Sequence, residues 1–385
     1  MATDGRPLTG IMSRTMTEPA NPVPPFGSDG AEPVPSPGEL LAEVDRTGLK
    51  AAWVGRLVMT ALAVLLVVVI GRFIRRVDWS MVWSALSQLS WWQPLLLFVL
   101  VLFRQVANGA PLMFNIPGVT LRQAAISDLA ASTMGVIAPP PSESALRIAM
   151  FRSWGTPLSL AVAGAVMNSV TFFLIRFSAP ALGFLVVALT GRSVGLRWLD
   201  VISLLIAALL LIGLLLVVRT ATWARWGGLQ AGRLARRLRP EVDPDAWADA
   251  CAAFRDGIAG RFGFAFPRAL LANLVMLMLD ATILFASLRF VGLTTDQLPA
   301  ADILIAYLFA FPLTAFPMSG LGVVDAAALA SMVEAGGPAV TEPAIAGLII
   351  WRLFTVVVVF LLGLIAVGAW RRASGRQQPM DEVAD

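Results

Sequence analysis

Histidine is absent from all 385 residues. Its absence removes imidazole bases, imidazole metal ligands and Ser-His-Asp triads together. Cys251 stands alone, so neither an internal disulfide nor a cysteine metal cluster is available. A lone cysteine in an apolar chain reads as a small packing residue before it reads as a nucleophile. Lys50 is the one lysine, and arginine carries the rest of a +4 net charge. These arginines flank apolar runs, so they read as membrane-topology signals and not as a nucleic-acid surface. No Walker A sequence is present, and Gly320-Leu-Gly322 lacks the third glycine and the strand of a dinucleotide fingerprint. No metal or cofactor is expected.

Apolar residues make up 57% of the chain and gather in runs of membrane length. The fold class expected is all-α, a polytopic helical membrane protein of about 7–9 membrane segments, two of them broken or re-entrant. Residues 1–44 are rich in Pro, Gly, Ser and Ala and read as a disordered tail. Residues 45–372 form the transmembrane domain, and 373–385 a short tail. The first apolar run, about 53–74, starts too late for a cleaved signal and reads as an uncleaved anchor. Trp79, Trp83, Trp91 and Trp92 mark an interfacial helix behind it. Further runs are expected at about 92–114, 121–138, 158–189, 198–218, 269–291, 303–316 and 343–370. The run at 158–189 is long enough to be one tilted span or two spans broken near Pro180. Between the spans, 219–268 holds nine Arg and five acids. Arg233, Arg236 and Arg237 lie at helical spacing beside leucines, which predicts an amphipathic helix on the cytoplasmic surface. This segment and both termini are expected inside and 294–302 outside, although Arg72, Arg75 and Arg76 then fall on the outer side against the rule.

Two places interrupt the apolar runs with proline, glycine and an acid. One is Phe316-Pro-Met-Ser-Gly-Leu-Gly-Val-Val-Asp325, the other Ala138-Pro-Pro-Pro-Ser-Glu-Ser-Ala-Leu-Arg147. Proline and glycine free backbone groups that lipid cannot satisfy, so such breaks persist only where protein or water covers them. Gly155 follows Glu143 by twelve residues and Gly337 follows Asp325 by twelve. Each is followed by a helix rich in small residues. Broken helices at matching places in two halves point to a transporter site and an inverted repeat. If 158–189 is one span, the two breaks enter from opposite faces.

The residues Pro317, Ser319, Gly320, Leu321, Gly322, Val323 and Asp325, with Arg352 in the last helix, resemble the motif of the lysylphosphatidylglycerol synthase transmembrane region, a flippase-like family. Pro139, Glu143 and Arg147 match the family's earlier proline-rich break, and Asn168 stands where many members place a charge. The likeness covers roughly residues 50–372. Ser319 replaces a glycine and Asp325 the usual glutamate. The resemblance implies a lipid-handling membrane domain. In multidomain relatives this region is associated with moving an aminoacylated phospholipid, and a soluble aminoacyl-transferase domain follows. No such domain follows the last span here, so lipid aminoacylation by this chain alone is not expected. The external loops offer few acids beyond Asp78, Asp296 and Asp302, so no other enzymatic activity is expected either.

The substrate-binding set expected is therefore Glu143, Arg147, Pro317, Gly320, Gly322, Asp325 and Arg352. Arg147 and Arg352 would hold the phosphate of an anionic or sugar-linked lipid, while Glu143 and Asp325 would shape the cavity or carry protons. The structural alternatives stand beside these. The acids would cap helix N-termini, Glu143 and Arg147 would form an i,i+4 pair, and Arg352 would pair with Asp325. Arg104, Asp128, Asn168, Arg176 and Asp280 are secondary cavity candidates, along with Asn273. The function expected is flippase-like movement of a lipid across a bacterial inner membrane. Two rivals remain, a membrane transferase on a lipid-linked sugar and a non-transporting scaffold for envelope-biosynthesis proteins.

Overall fold

A computed structural model describes residues 87, 89–137, 142–192, 198–238 and 243–375. The N-terminal tail, the first expected span, the interfacial tryptophans before Trp91 and the break residue Pro139 lie outside them.

Among the described residues everything regular is helical. In lipid each backbone polar group must be satisfied by protein, and an α-helix does so within its own segment. Helix α1 is Trp92–Asn115, α2 Leu121–Ile137, α3 Ser142–Ser153, α4 Leu158–Thr190 and α5 Trp198–Arg219. Then come α6 (Ala221–Leu238), α7 (Pro244–Phe290) and α8 (Ala300–Ala310), the last continued by a 3₁₀ turn over Phe311–Ala315. A single helical turn, Pro317–Gly320, precedes α9 (Val323–Gly336). The last helix is α10 (Thr341–Arg352), a π-helical segment Leu353–Val358, and α11 (Val359–Gly375).

Among the described residues, five stretches are long and apolar enough to cross a membrane: Trp92–Asn115, Leu158–Thr190, Trp198–Arg219, Ala259–Phe290 and Pro338–Ala373. The run at 158–189 is thus one span. Pro180 sits inside α4 without ending it, and Gly191 closes the helix in the left-handed conformation at φ 64°.

The amphipathic helix expected around Arg233, Arg236 and Arg237 is α6. From Pro244 on, the polar segment 219–268 is the start of α7. α6 packs back along the first turns of α7, and α7 then runs unbroken for 47 residues into the bilayer. Asp243 caps its start by accepting the Asp245 N–H at 2.9 Å, with Pro244 at the first helical position. Gly228 and Gly232 let α6 come close to Trp247, Ala248 and Pro244. Arg233, Arg236 and Arg237 stay exposed on this hairpin.

The element order repeats. A span (α1), a broken pair (α2, α3) and a span (α4) are matched by α7, by α8 with α9, and by α10 with α11. α1 packs along α7, and the outer contacts are exchanged. α2 packs on α11, where Thr133 donates to the Phe360 carbonyl at 3.3 Å. α8 packs on α4, where Phe309 meets Phe184 edge-on at 4.8 Å. Counting the membrane-length helices as single crossings, α4 and α5 return the chain to the side where α4 began, and α7 crosses again. The two broken pairs then enter from opposite sides, as an inverted repeat requires.

Candidate functional site

The second break shows why its motif has its composition. Ser319, Gly320 and Gly322 have φ values of 56°, 65° and 83°. Left-handed backbone strains any residue with a Cβ, which accounts for glycine at two of these positions and marks Ser319 as the strained third. Gly320 has a further reason. A Cβ there would stand far inside van der Waals contact distance of the Leu313 carbonyl oxygen. The turn delivers Asp325 to the start of α9, where its Oδ2 accepts the Gly322 N–H at 2.8 Å. Its Oδ1 accepts from Arg352 Nε at 2.6 Å. Asp325 is thus both helix cap and ion-pair partner, joining the broken element to the last helix. The π-helical segment begins directly after Arg352, a local irregularity of the kind that gathers at functional positions.

The first break is organised differently. Arg147 does not pair with Glu143 one turn away. α3 turns Arg147 inward, and its Nη2 donates to Asp128 Oδ1 on α2 at 2.8 Å, with both side chains over nine-tenths buried. Asn108 Nδ2 of α1 donates to the other oxygen of Asp128 at 2.6 Å. Glu143 packs against Gly135 of α2 and forms no ion pair among the described residues.

Between the halves lies a third cluster. Asp280 of α7 sits 2.7 Å from Arg104 Nε of α1, off the N–H axis, so the contact is an ion pair and not a hydrogen bond. Tyr307 of α8 donates to its other oxygen at 2.8 Å. Tyr307 is the eighth residue of α8, as Asp128 is of α2. Each ties its broken element to the preceding span, through Asp280 in one half and Asn108 in the other. Tyr307 also meets Trp351 edge-on at 6.1 Å, and Trp351 lies under the Arg352 guanidinium. The Arg104–Asp280 and Arg352–Asp325 pairs are therefore linked through Tyr307 and Trp351.

Arg104 and Asn108 are one turn apart on α1, so one helix face touches Asp280 and Asp128 in the two halves. Of the secondary candidates, Asn273 donates to Thr171 at 3.4 Å, a tie between α7 and α4. Asn168 is buried on α4, and its Oδ1 meets no donor among the described residues. Arg176 stacks on Phe172 and Phe173 without joining any of these clusters. Tyr307 was not among the expected site residues. It is the chain's single tyrosine, set in an apolar helix, and that isolation was the available signal.

Helical spans, broken elements and buried ion pairs define a polytopic membrane protein. The family described as the lysylphosphatidylglycerol synthase TM region matches residues 56–363. The chain belongs to that family. No curated protein matches it.

Proposed function

We propose that the protein moves a phospholipid or a lipid-linked headgroup across a bacterial inner membrane, with both termini on the cytoplasmic side. The observation that carries this reading is the pair of broken elements, each packed on the last helix of the other half, and the crossing count that puts them on opposite sides supports it. Such a frame passes a site from one side to the other by rocking one half against its mate. The ion pairs then have a mechanical role. Asp325–Arg352 and Asp128–Arg147 keep each break in shape where lipid would not tolerate free backbone or charge. Membership in the family supports lipid as the substrate class, and the spans supply a lipid-facing surface along α5 in Leu205, Leu209 and Ile212.

The test is reconstitution of the full chain in vesicles carrying a phospholipid with a fluorescent headgroup, quenched from outside. Protein-dependent access of the inner-leaflet probe is expected. An unchanged protected half in vesicles proven to hold folded protein would overturn the reading.

A further inference from the structure

Arginines that are not exposed in the described helices are neutralised or hydrogen-bonded, with one exception. Arg104, Arg147 and Arg352 each hold a carboxylate. Arg268 and Arg289 donate to backbone carbonyls. Arg176, near the middle of the 33-residue α4, has neither an ion pair nor a hydrogen bond among the described residues, and its Nε is buried. Its guanidinium lies 4.5 Å from the centroid of Phe172 and 5.2 Å from that of Phe173. Ring faces offset part of the cost of a buried cation but accept no directed hydrogen bond. An arginine at this depth stays charged and calls for an anion.

We infer that Arg176 is the anion contact of the transport route and that its ligand group is a phosphate. This rests on the lipid-handling reading above and assigns the headgroup contact away from Arg147 and Arg352, whose charges Asp128 and Asp325 already meet. The guanidinium fork suits two phosphate oxygens at once. The rings of Phe172 and Phe173 lie against the same guanidinium and hold it in place. Glu143, on the first turn of α3, is the carboxylate whose field reaches Arg176 from beyond ion-pair distance. It repels a bare second anion. It suits a headgroup that carries a hydroxyl or ammonium donor next to its phosphate.

The experiment uses the full chain in nanodiscs of phosphatidylcholine doped with a diazirine-bearing phosphatidylglycerol. Photo-crosslinking to peptides of α4 is read by mass spectrometry. Wild type is expected to crosslink, Arg176→Gln to lose about tenfold of the yield, and Arg176→Lys to lie between, as for one charge-assisted contact removed or weakened. Excess inorganic phosphate that displaces the probe assigns the site to free phosphate; failure to displace it assigns the site to the lipid. Both keep the phosphate contact.

Thermal unfolding in phosphate-free detergent separates ligand contact from scaffold. Arg176→Gln is expected to hold or raise Tm, because it removes a charge without a partner, whereas Arg352→Gln lowers it. Equal crosslinking by Arg176→Gln and wild type, or a Tm loss matching that of Arg352→Gln, overturns the inference. Wild-type crosslinking without any translocation would remove the transport reading and leave this site standing.

Discussion

At the scale of single residues, the second break makes a sharp prediction. Ser319 occupies left-handed backbone at φ 56° where the family motif has glycine. Replacing it with glycine relieves about 1–2 kcal/mol of strain and returns part of that as chain entropy. Ser319→Gly is therefore expected to stabilise by about 0.5–1 kcal/mol in a detergent unfolding series. Gly320 and Gly322 separate in the opposite direction. Both have positive φ, but only Gly320 has a neighbour where a Cβ would stand. Gly320→Ala should cost clearly more than the roughly 1–2 kcal/mol of Gly322→Ala. Equal losses at the two positions would mean that the Leu313 carbonyl yields.

At the scale of elements, the acid–arginine pairs fasten broken helices to unbroken ones. Breaking one pair strands a charge, so Asp325→Asn or Arg352→Gln should each cost about 2–4 kcal/mol. Removing both should cost less than the two losses summed, which a double-mutant cycle by thermal unfolding reads directly. Backbone chemistry is local, and for that reason the breaks and the cap at Asp325 could be read along the chain. The Arg352 pairing stood there only as one alternative beside a lipid contact. Pairing across elements is not local. Arg147 lies one turn from Glu143, yet the way α3 seats on α2 gives it Asp128 instead. The same limit hid Tyr307, whose meaning depends on Asp280, 27 residues earlier on another helix. It also hid the α6–α7 hairpin. Residues 244–258 carry Asp245, Asp249, Arg255 and Asp256 and no membrane-length apolar run, while their backbone already belongs to the helix that becomes a span.

At the scale of the molecule, the repeat fixes which loops share a side. The loop before α4 and the loop before α10 should face opposite sides of the membrane. Cysteines at Ser159 and Ala339, both exposed, test this with a membrane-impermeant maleimide. Ala339→Cys is expected to react in intact cells and Ser159→Cys only after permeabilisation. Labelling of both from one side would refute the inverted arrangement. The native Cys251 lies on the hairpin, and burial pushes its thiol up, which slows its reaction; replacing it with alanine clears the background.

Helix α7 carries Asp280 towards one end and begins the hairpin at Pro244 on the other. The 36 residues between them make a rod of about 54 Å, so a tilt of about 10° at Asp280 sweeps the tip through roughly 9 Å. Pro267 lies along this lever and sets how much of the swing arrives. A spin label on the exposed Arg236 would then act as a pointer. It magnifies a rearrangement deep in the bilayer into a displacement read in water, far from any group that takes part in it.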